Sequence, residues 1–307
     1  MRIVFAGNGE RGEKCLSYLK LQPNVDIPLV ICHPGEVAGG YYRSISNHAH
    51  SLGLDTISPE DINSEDAIKR IELAKPDLML LVGYSAKILK KKTYDIPKFG
   101  TLNVHASLLP KYRGAAPLNW AMINGETECG ISVIEVDDGV DTGPILAQVH
   151  VQILPEDDIA TLTGRVNDII PCMLADVIEN LAVRKKNRRI QSISEGFFCC
   201  KRKPKDGLLD FQTKTALEIV RMAKALIPPY PGAYFVYRGN KLTLIKTDVC
   251  NIDYRGIPGR IVRKDARGVV ILAKDRGVII SHIMVNDYET VEAWKWGFKL
   301  GGDISDD

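Results

Sequence analysis

Asn103 and His105 stand two residues apart in Thr101–Ser107, a stretch that reads as a β-strand. On a strand, residues i and i+2 project to one face, so an amide donor and an imidazole converge on one spot. Further along, Asp137-Asp138-Gly139-Val140-Asp141-Thr142-Gly143 is a glycine-containing turn from which a carboxylate can reach that imidazole. An amide, an imidazole and a carboxylate together can hold an oxyanion and move a proton. By residue type alone, a strand end followed by a turn accounts for the same residues, and both readings stay open at this point.

The elements that must position these groups are legible from periodicity. Arg2–Ala6 is an apolar strand, Gly7-x-Gly9-x-x-Gly12 a glycine turn, and Glu13–Leu21 a helix. This matches the dinucleotide fingerprint, but the place of the ribose-binding acid is held by Cys32 and His33, with Glu36 arriving late. Strands at Ile27–Cys32 and Asp77–Val82, the second preceded by a helical stretch over Ser64–Ala74, predict a Rossmann-like, mostly parallel sheet with helices on both faces. Gly130–Val136 and Ile145–Ile153 pair across the Asp137–Gly143 turn, and Asp157–Val183 is a long helix that closes a first domain over 1–183. Residues 184–205, opening on Arg184-Lys185-Lys186-Asn187-Arg188-Arg189, read as a basic, solvated linker, with a phosphate-contacting patch as the alternative for the cluster. Residues 206–307 combine a helix over Thr215–Leu226 with short strands and turns, a small β-rich domain ending in a disordered tail over Gly301–Asp307.

Composition narrows the functional classes. Forty basic and 38 acidic residues leave a formal charge of +2, too small to drive polyanion binding through a global field. The seven cysteines contain no C-x-x-C pair, which argues against a disulfide framework or zinc ribbon and for reduced, mostly buried thiols. His48-x-His50 lies in a helical stretch where i and i+2 diverge, so no metal site is expected. No apolar run is long enough to span a bilayer, and the chain reads as cytoplasmic.

The stretch Asn103-Val104-His105-Ala106-Ser107-Leu108-Leu109-Pro110-Lys111-Tyr112-Arg113-Gly114-Ala115-Ala116-Pro117 resembles the N-x-H-x-S-L-L-P-x-Y-R-G-x-x-P signature of the 10-formyltetrahydrofolate-dependent formyltransferases, and Asp141-Thr142-Gly143 resembles their catalytic aspartate loop. The similarity runs through residues 1–180 and continues more weakly to about residue 300, where it implies an OB-like β-domain. It implies Asn103, His105 and Asp141 as the catalytic set and 10-formyltetrahydrofolate as formyl donor, with no metal. It places the folate, mainly through backbone groups of 81–89 and 136–139, against Tyr84, Ser85, Ala86, Ile88, Leu89, Leu108, Val136, Asp138 and Gly139. On the acceptor side it implies Gly7, Asn8, Gly9, Lys111, Arg113, Gly114 and Pro117. Lys111 and Arg113 are candidate phosphate or loop contacts, and a structural salt bridge is the alternative for Arg113.

Two acceptors fit the resemblance. The methionyl-tRNA branch carries a long Lys/Arg-rich loop after the second strand, whereas here the interval His33–Leu54 is short and holds one such residue, Arg43. Lys203-Pro204-Lys205-Asp206-Gly207-Leu208-Leu209-Asp210-Phe211 and Pro229-Tyr230-Pro231-Gly232-Ala233-Tyr234 resemble the sugar-nucleotide branch, such as the UDP-4-amino-4-deoxy-L-arabinose formyltransferases. Ala115 departs from that pattern, which has arginine there, so another amino-deoxy-sugar nucleotide fits as well. A nucleotide-linked amino sugar is the expected acceptor, methionyl-tRNA the alternative, and a homodimer is open.

Overall fold

The computed structural model describes residues 1–35, 43–84 and 86–304. They divide into two units, Met1–Leu118 with Glu128–Gln152 and Leu162–Cys200, and Asn119–Thr127 with Ile153–Thr161 and Lys201–Asp307.

In the first unit, strands β1 (Arg2–Gly7), β2 (Asp26–Cys32), β3 (Thr56–Ile57), β4 (Leu78–Val82), β5 (Thr101–His105), β7 (Glu128–Glu135) and β8 (Ile145–Gln152) form one sheet in the order β3-β2-β1-β4-β5-β7-β8. The first five run parallel, while β7 and β8 are antiparallel additions. Every residue of β4, Leu-Met-Leu-Leu-Val, is buried, which is why an unbroken apolar run sits at the centre of a sheet covered on both faces. Helices α1 (Gly9–Lys20), α2 (Ser46–Ser51) and α3 (Glu65–Leu73) connect the parallel strands. Ser64 caps α3 by accepting from Ala67 N, with Glu65 and Asp66 in its first turn, and Cys15, Leu16 and Leu19 form the buried stripe of α1. The strand order reverses between β1 and β4, so a crevice opens at their carboxyl ends.

The expected boundary needs correcting. The helical stretch 157–183 is two helices, α6 (Ile159–Glu179) and α7 (Leu181–Lys186), separated at Asn180. The basic segment after it belongs with the first unit, which runs to Cys200, while residues 186–190 stay exposed to solvent. Lys185 Nζ and Arg188 Nε pair with Glu135 at 2.9 and 3.4 Å, Arg189 bridges to Ile145, and β9 (Phe198–Cys199) pairs in parallel with β6 (Arg113–Gly114). Conversely, residues 119–127, on the helix α5 (Pro117–Asn124), belong with the carboxy-terminal part: Asn119 Nδ2 donates to Ala225 O at 2.7 Å.

The second unit is a single antiparallel sheet ordered β10 (Tyr234–Tyr237), β11 (Asn240–Val249), β14 (Gly277–Val285), β13 (Gly268–Leu272), β12 (Ile261–Asp265), with β15 (Glu289–Glu292) on β14. Helix α8 (Ala216–Ala225) packs on β11 and β14. Phe211, Phe235, Tyr237 and Phe298 supply its aromatic core. The segment expected as a tail is tied down in part, since Gly302 O accepts from Ile261 N and Asp303 pairs with Arg260; residues 305–307 lie outside those described.

Candidate active site

Strand alternation delivers Asn103 and His105 to one face of β5, and Asp141 meets both. Asn103 Nδ2 donates to Asp141 Oδ1 at 3.1 Å, and His105 Nδ1 lies 3.4 Å from Asp141 Oδ2. Asp141 Oδ2 also accepts from Gly114 N at 2.9 Å. His105 Nε2 is 2.8 Å from the Tyr112 carbonyl, and because a carbonyl only accepts, Nε2 carries the hydrogen. The His105 and Asp141 side chains are only 8% and 12% exposed, so their interactions act away from bulk screening.

The loop that carries Asp141 is held in an unusual shape. Asp141 itself has φ +54°, a conformation that non-glycine residues adopt only when their surroundings impose it. Asp137 Oδ1 accepts from Gly139 N and Thr142 Oγ1, and a Cβ at Gly143 would fall 1.8 Å from Glu135 O, so only glycine passes there. From the segment read as linker, Gln191 Nε2 donates to Asp141 O at 3.0 Å and to Gly143 O at 2.7 Å. The facing 107–114 loop is braced by Ser132 and Gln148: Ser132 Oγ donates to Ser107 O, and Gln148 Nε2 to Leu109 O. Gly114, with φ +90°, passes so close to Cys199 that a Cβ would sit 2.6 Å from its carbonyl oxygen.

Residues expected at the folate behave unequally. Tyr84 is half-buried, its hydroxyl has no hydrogen-bond partner, and burial pushes its phenol up to about 12. Ser85 lies outside the described residues. Ala86 and Leu108 are half-buried, and Ile88 is 70% exposed. The Leu89 side chain is buried in the sheet's hydrophobic cluster with Leu81 and Tyr94, against which Tyr84 and Val136 pack, which leaves its backbone as the part that can meet a ligand. Asp138 accepts from Tyr94 Oη at 2.6 Å, which pushes the Tyr94 phenol up to about 12, and the Gly139 amide is already given to Asp137. Asn63 holds this flank, donating to Ile88 O at 3.0 Å and accepting from Lys90 N at 2.7 Å and Thr93 Oγ1 at 2.9 Å.

On the acceptor side, Gly7, Asn8 and Gly9 lie at the carboxyl end of β1, at the switch point. Asn8 Nδ2 donates to Gly83 O at 3.2 Å, and its buried Oδ1 has no partner. Lys111 is exposed, and Gly114 and Pro117 are half-buried. Arg113 is held by a loop. It is 0% exposed, donates to Gln191 Oε1 from Nε and Nη2 at 3.1 and 2.9 Å and to Ser192 O at 3.1 Å, and lies over the Phe198 ring. These partners are an amide and a carbonyl rather than the carboxylate of a salt bridge, and the buried Nη1 has no partner among the described residues. Sequence reasoning missed Asn63, Ser132, Gln148 and Gln191, which are ordinary polar residues without a motif of their own. The histidines of His48-x-His50 go separate ways, to Ser17 Oγ and Thr56 Oγ1. Cys15, Cys32, Cys129 and Cys250 are buried thiols, whereas Cys172 and Cys200 are exposed.

The formyl transferase family model matches residues 1–178, and the model of the formyl transferase carboxy-terminal domain matches 201–299. The chain belongs to the formyltransferase family. This formyltransferase is 32% identical to the methionyl-tRNA formyltransferase of Methylacidiphilum infernorum, over 95% of this chain and 93% of the relative. Its fold is similar to that of the N-formyltransferase from Helicobacter canadensis in complex with folinic acid and dTDP-3-aminofucose, at TM-score 0.65 and 20% identity over 91% of this chain and 98% of the other. It is similar too to HypX from Aquifex aeolicus in complex with tetrahydrofolic acid, at TM-score 0.63 and 18% identity over 95% of this chain, which spans 46% of HypX.

Proposed function

We propose that this chain moves the formyl group of 10-formyltetrahydrofolate to a primary amine, with Asn103, His105 and Asp141 as its catalytic set. One observation carries the reading: an amide, an imidazole and a carboxylate meet at one strand end, Asp141 lying 3.1 Å from Asn103 and 3.4 Å from His105. The bound donor supplies an activated one-carbon unit whose oxygen gains negative charge as the amine adds. Asn103 has one amide hydrogen beyond that given to Asp141. His105 Nε2 donates to Tyr112, so its Nδ1 edge, 3.4 Å from Asp141, donates to the oxyanion only when the ring carries both protons. Each such donor contributes roughly 3–4 kcal/mol in acyl-transfer sites. Asp141 takes the proton shed by the amine and releases it to the departing nitrogen as the carbon–nitrogen bond breaks. The unpartnered Tyr84 hydroxyl and the 136–139 turn fit a heterocycle with its own donors and acceptors. Asn8, with its open carbonyl oxygen, and exposed Lys111 are the acceptor-side candidates.

Two acceptors have specific support. Curated relatives 32% and 30% identical over nearly the whole chain are methionyl-tRNA formyltransferases, and these comparisons favour that reading. A nucleotide-linked amino-deoxy sugar is supported by the short 33–54 interval, whose one Lys or Arg, Arg43, is paired with Glu13 at 2.5 Å. A cytoplasmic setting belongs to the proposal; among the described residues no helix is long and apolar enough to cross a membrane. The test is an assay with 10-formyltetrahydrofolate against methionyl-tRNA and a panel of amino-sugar nucleotides. Formylation confined to one class decides the acceptor, and no formylation of any amine removes the proposal.

A further inference from the structure

Gln191 uses its whole side-chain amide at the edge of the active site. Its two hydrogens go to the carbonyls of Asp141 and Gly143, and its oxygen accepts twice from Arg113. Arg113 can only donate, so it dictates which end of the amide faces the loop. Arg113 is itself immobilised by full burial, the Ser192 carbonyl and the Phe198 ring. The loop so gripped is the one in which Asp141 adopts φ +54°, a conformation that persists only where neighbouring structure over-determines it.

We infer that Gln191 is a positioning residue for the formyl-transfer reaction: oriented by Arg113, it pins the 141–143 backbone and so sets the Asp141 carboxylate against Asn103 and His105. The inference rests on the catalytic reading of Asp141 given above. With both hydrogens and the oxygen of the Gln191 amide engaged, one arrangement of the loop is selected, and a shift of about 1 Å in a catalytic group costs on the order of a hundredfold in rate.

Gln191→Glu separates this role from that of a mere partner for Arg113. Glutamate keeps the shape and the Arg113 contact but cannot donate to the two carbonyls, and it sets a carboxylate against them. The expected result is a kcat lower by about tenfold to a hundredfold, with KM for the folate within about threefold and an unchanged melting temperature. Hydrogen exchange should also quicken at the 141–143 loop and at the Gly114 amide, which bonds Asp141. If Gln191→Glu does not fold, Gln191→Met, which removes both sets of bonds, is read in the same way. Unchanged kcat together with unchanged exchange overturns the inference. Asp141→Asn is measured alongside: if it retains turnover, the catalytic reading fails, and exchange still decides whether Gln191 pins the loop. If it is inactive while Gln191→Glu is fully active, the reading stands and the inference falls.

Discussion

Each member of the triad has a distinct physical position, and the expected effects of substitution follow from it. Asn103→Ala removes an oxyanion donor and also strips Asp141 Oδ1 of its 3.1 Å hydrogen bond. His105→Ala removes the imidazole edge, and Asp141→Asn replaces a carboxylate that accepts from both Asn103 and Gly114. Each variant should lower kcat by about a hundredfold or more while circular dichroism and melting stay near those of the parent. Near-normal turnover in a folded His105→Ala protein would remove the assignment. At this scale the sequence showed residue types and, through strand alternation, which two share a face. It did not show that Arg113 is enclosed: a basic residue in a loop looks available until its neighbours are known.

At the scale of elements, local signals were strong wherever the chain carries its own start and stop. The stretch 64–74 contains α3 with its Ser64 cap, and 215–226 contains α8. In α8, Thr215 Oγ1 accepts from Glu218 N at 3.2 Å and Glu218 Oε2 accepts from Thr215 N at 2.7 Å, a reciprocal cap. Thr215→Ala should destabilise the protein by ~1 kcal/mol, read from urea denaturation. The Glu218 carboxyl is held below its ordinary value of 4.5, first by the bond from the Thr215 backbone amide. A depressed folded-state pKa means that this contribution is full above pH 4.5 and fades as pH falls through the lowered value. The stability gap between the parent and Glu218→Gln should therefore narrow on acidification below pH 4.5, and a gap that widens would contradict the cap.

For the molecule as a whole, the near-neutral total conceals an asymmetry. Residues 1–200 carry 21 basic and 25 acidic side chains, and residues 201–307 carry 19 and 13, giving −4 and +6. A basic carboxy-terminal portion agrees with a polyanionic acceptor, whereas the basic-poor 33–54 interval does not. Salt distinguishes the two in a single series. With methionyl-tRNA as true acceptor, kcat/KM should fall steeply between about 50 and 200 mM salt, because each neutralised phosphate releases counterions. With a nucleotide sugar, the same range should change kcat/KM by no more than a few-fold.

The sequence by itself determined the parallel sheet, the glycine turn at its first strand end, the shared face of Asn103 and His105, and the β-rich carboxy-terminal part. These depend on period, propensity and turn chemistry over a few residues. Only the tertiary structure decided how Asp141, 38 residues beyond Asn103, is held against it at 3.1 Å, that residues 184–200 belong with the first unit, and that Gln191 grips the aspartate loop. Such pairings join distant stretches whose local composition is that of ordinary loops. They are selected by the burial and hydrogen bonding of the folded whole, which no short window of sequence encodes.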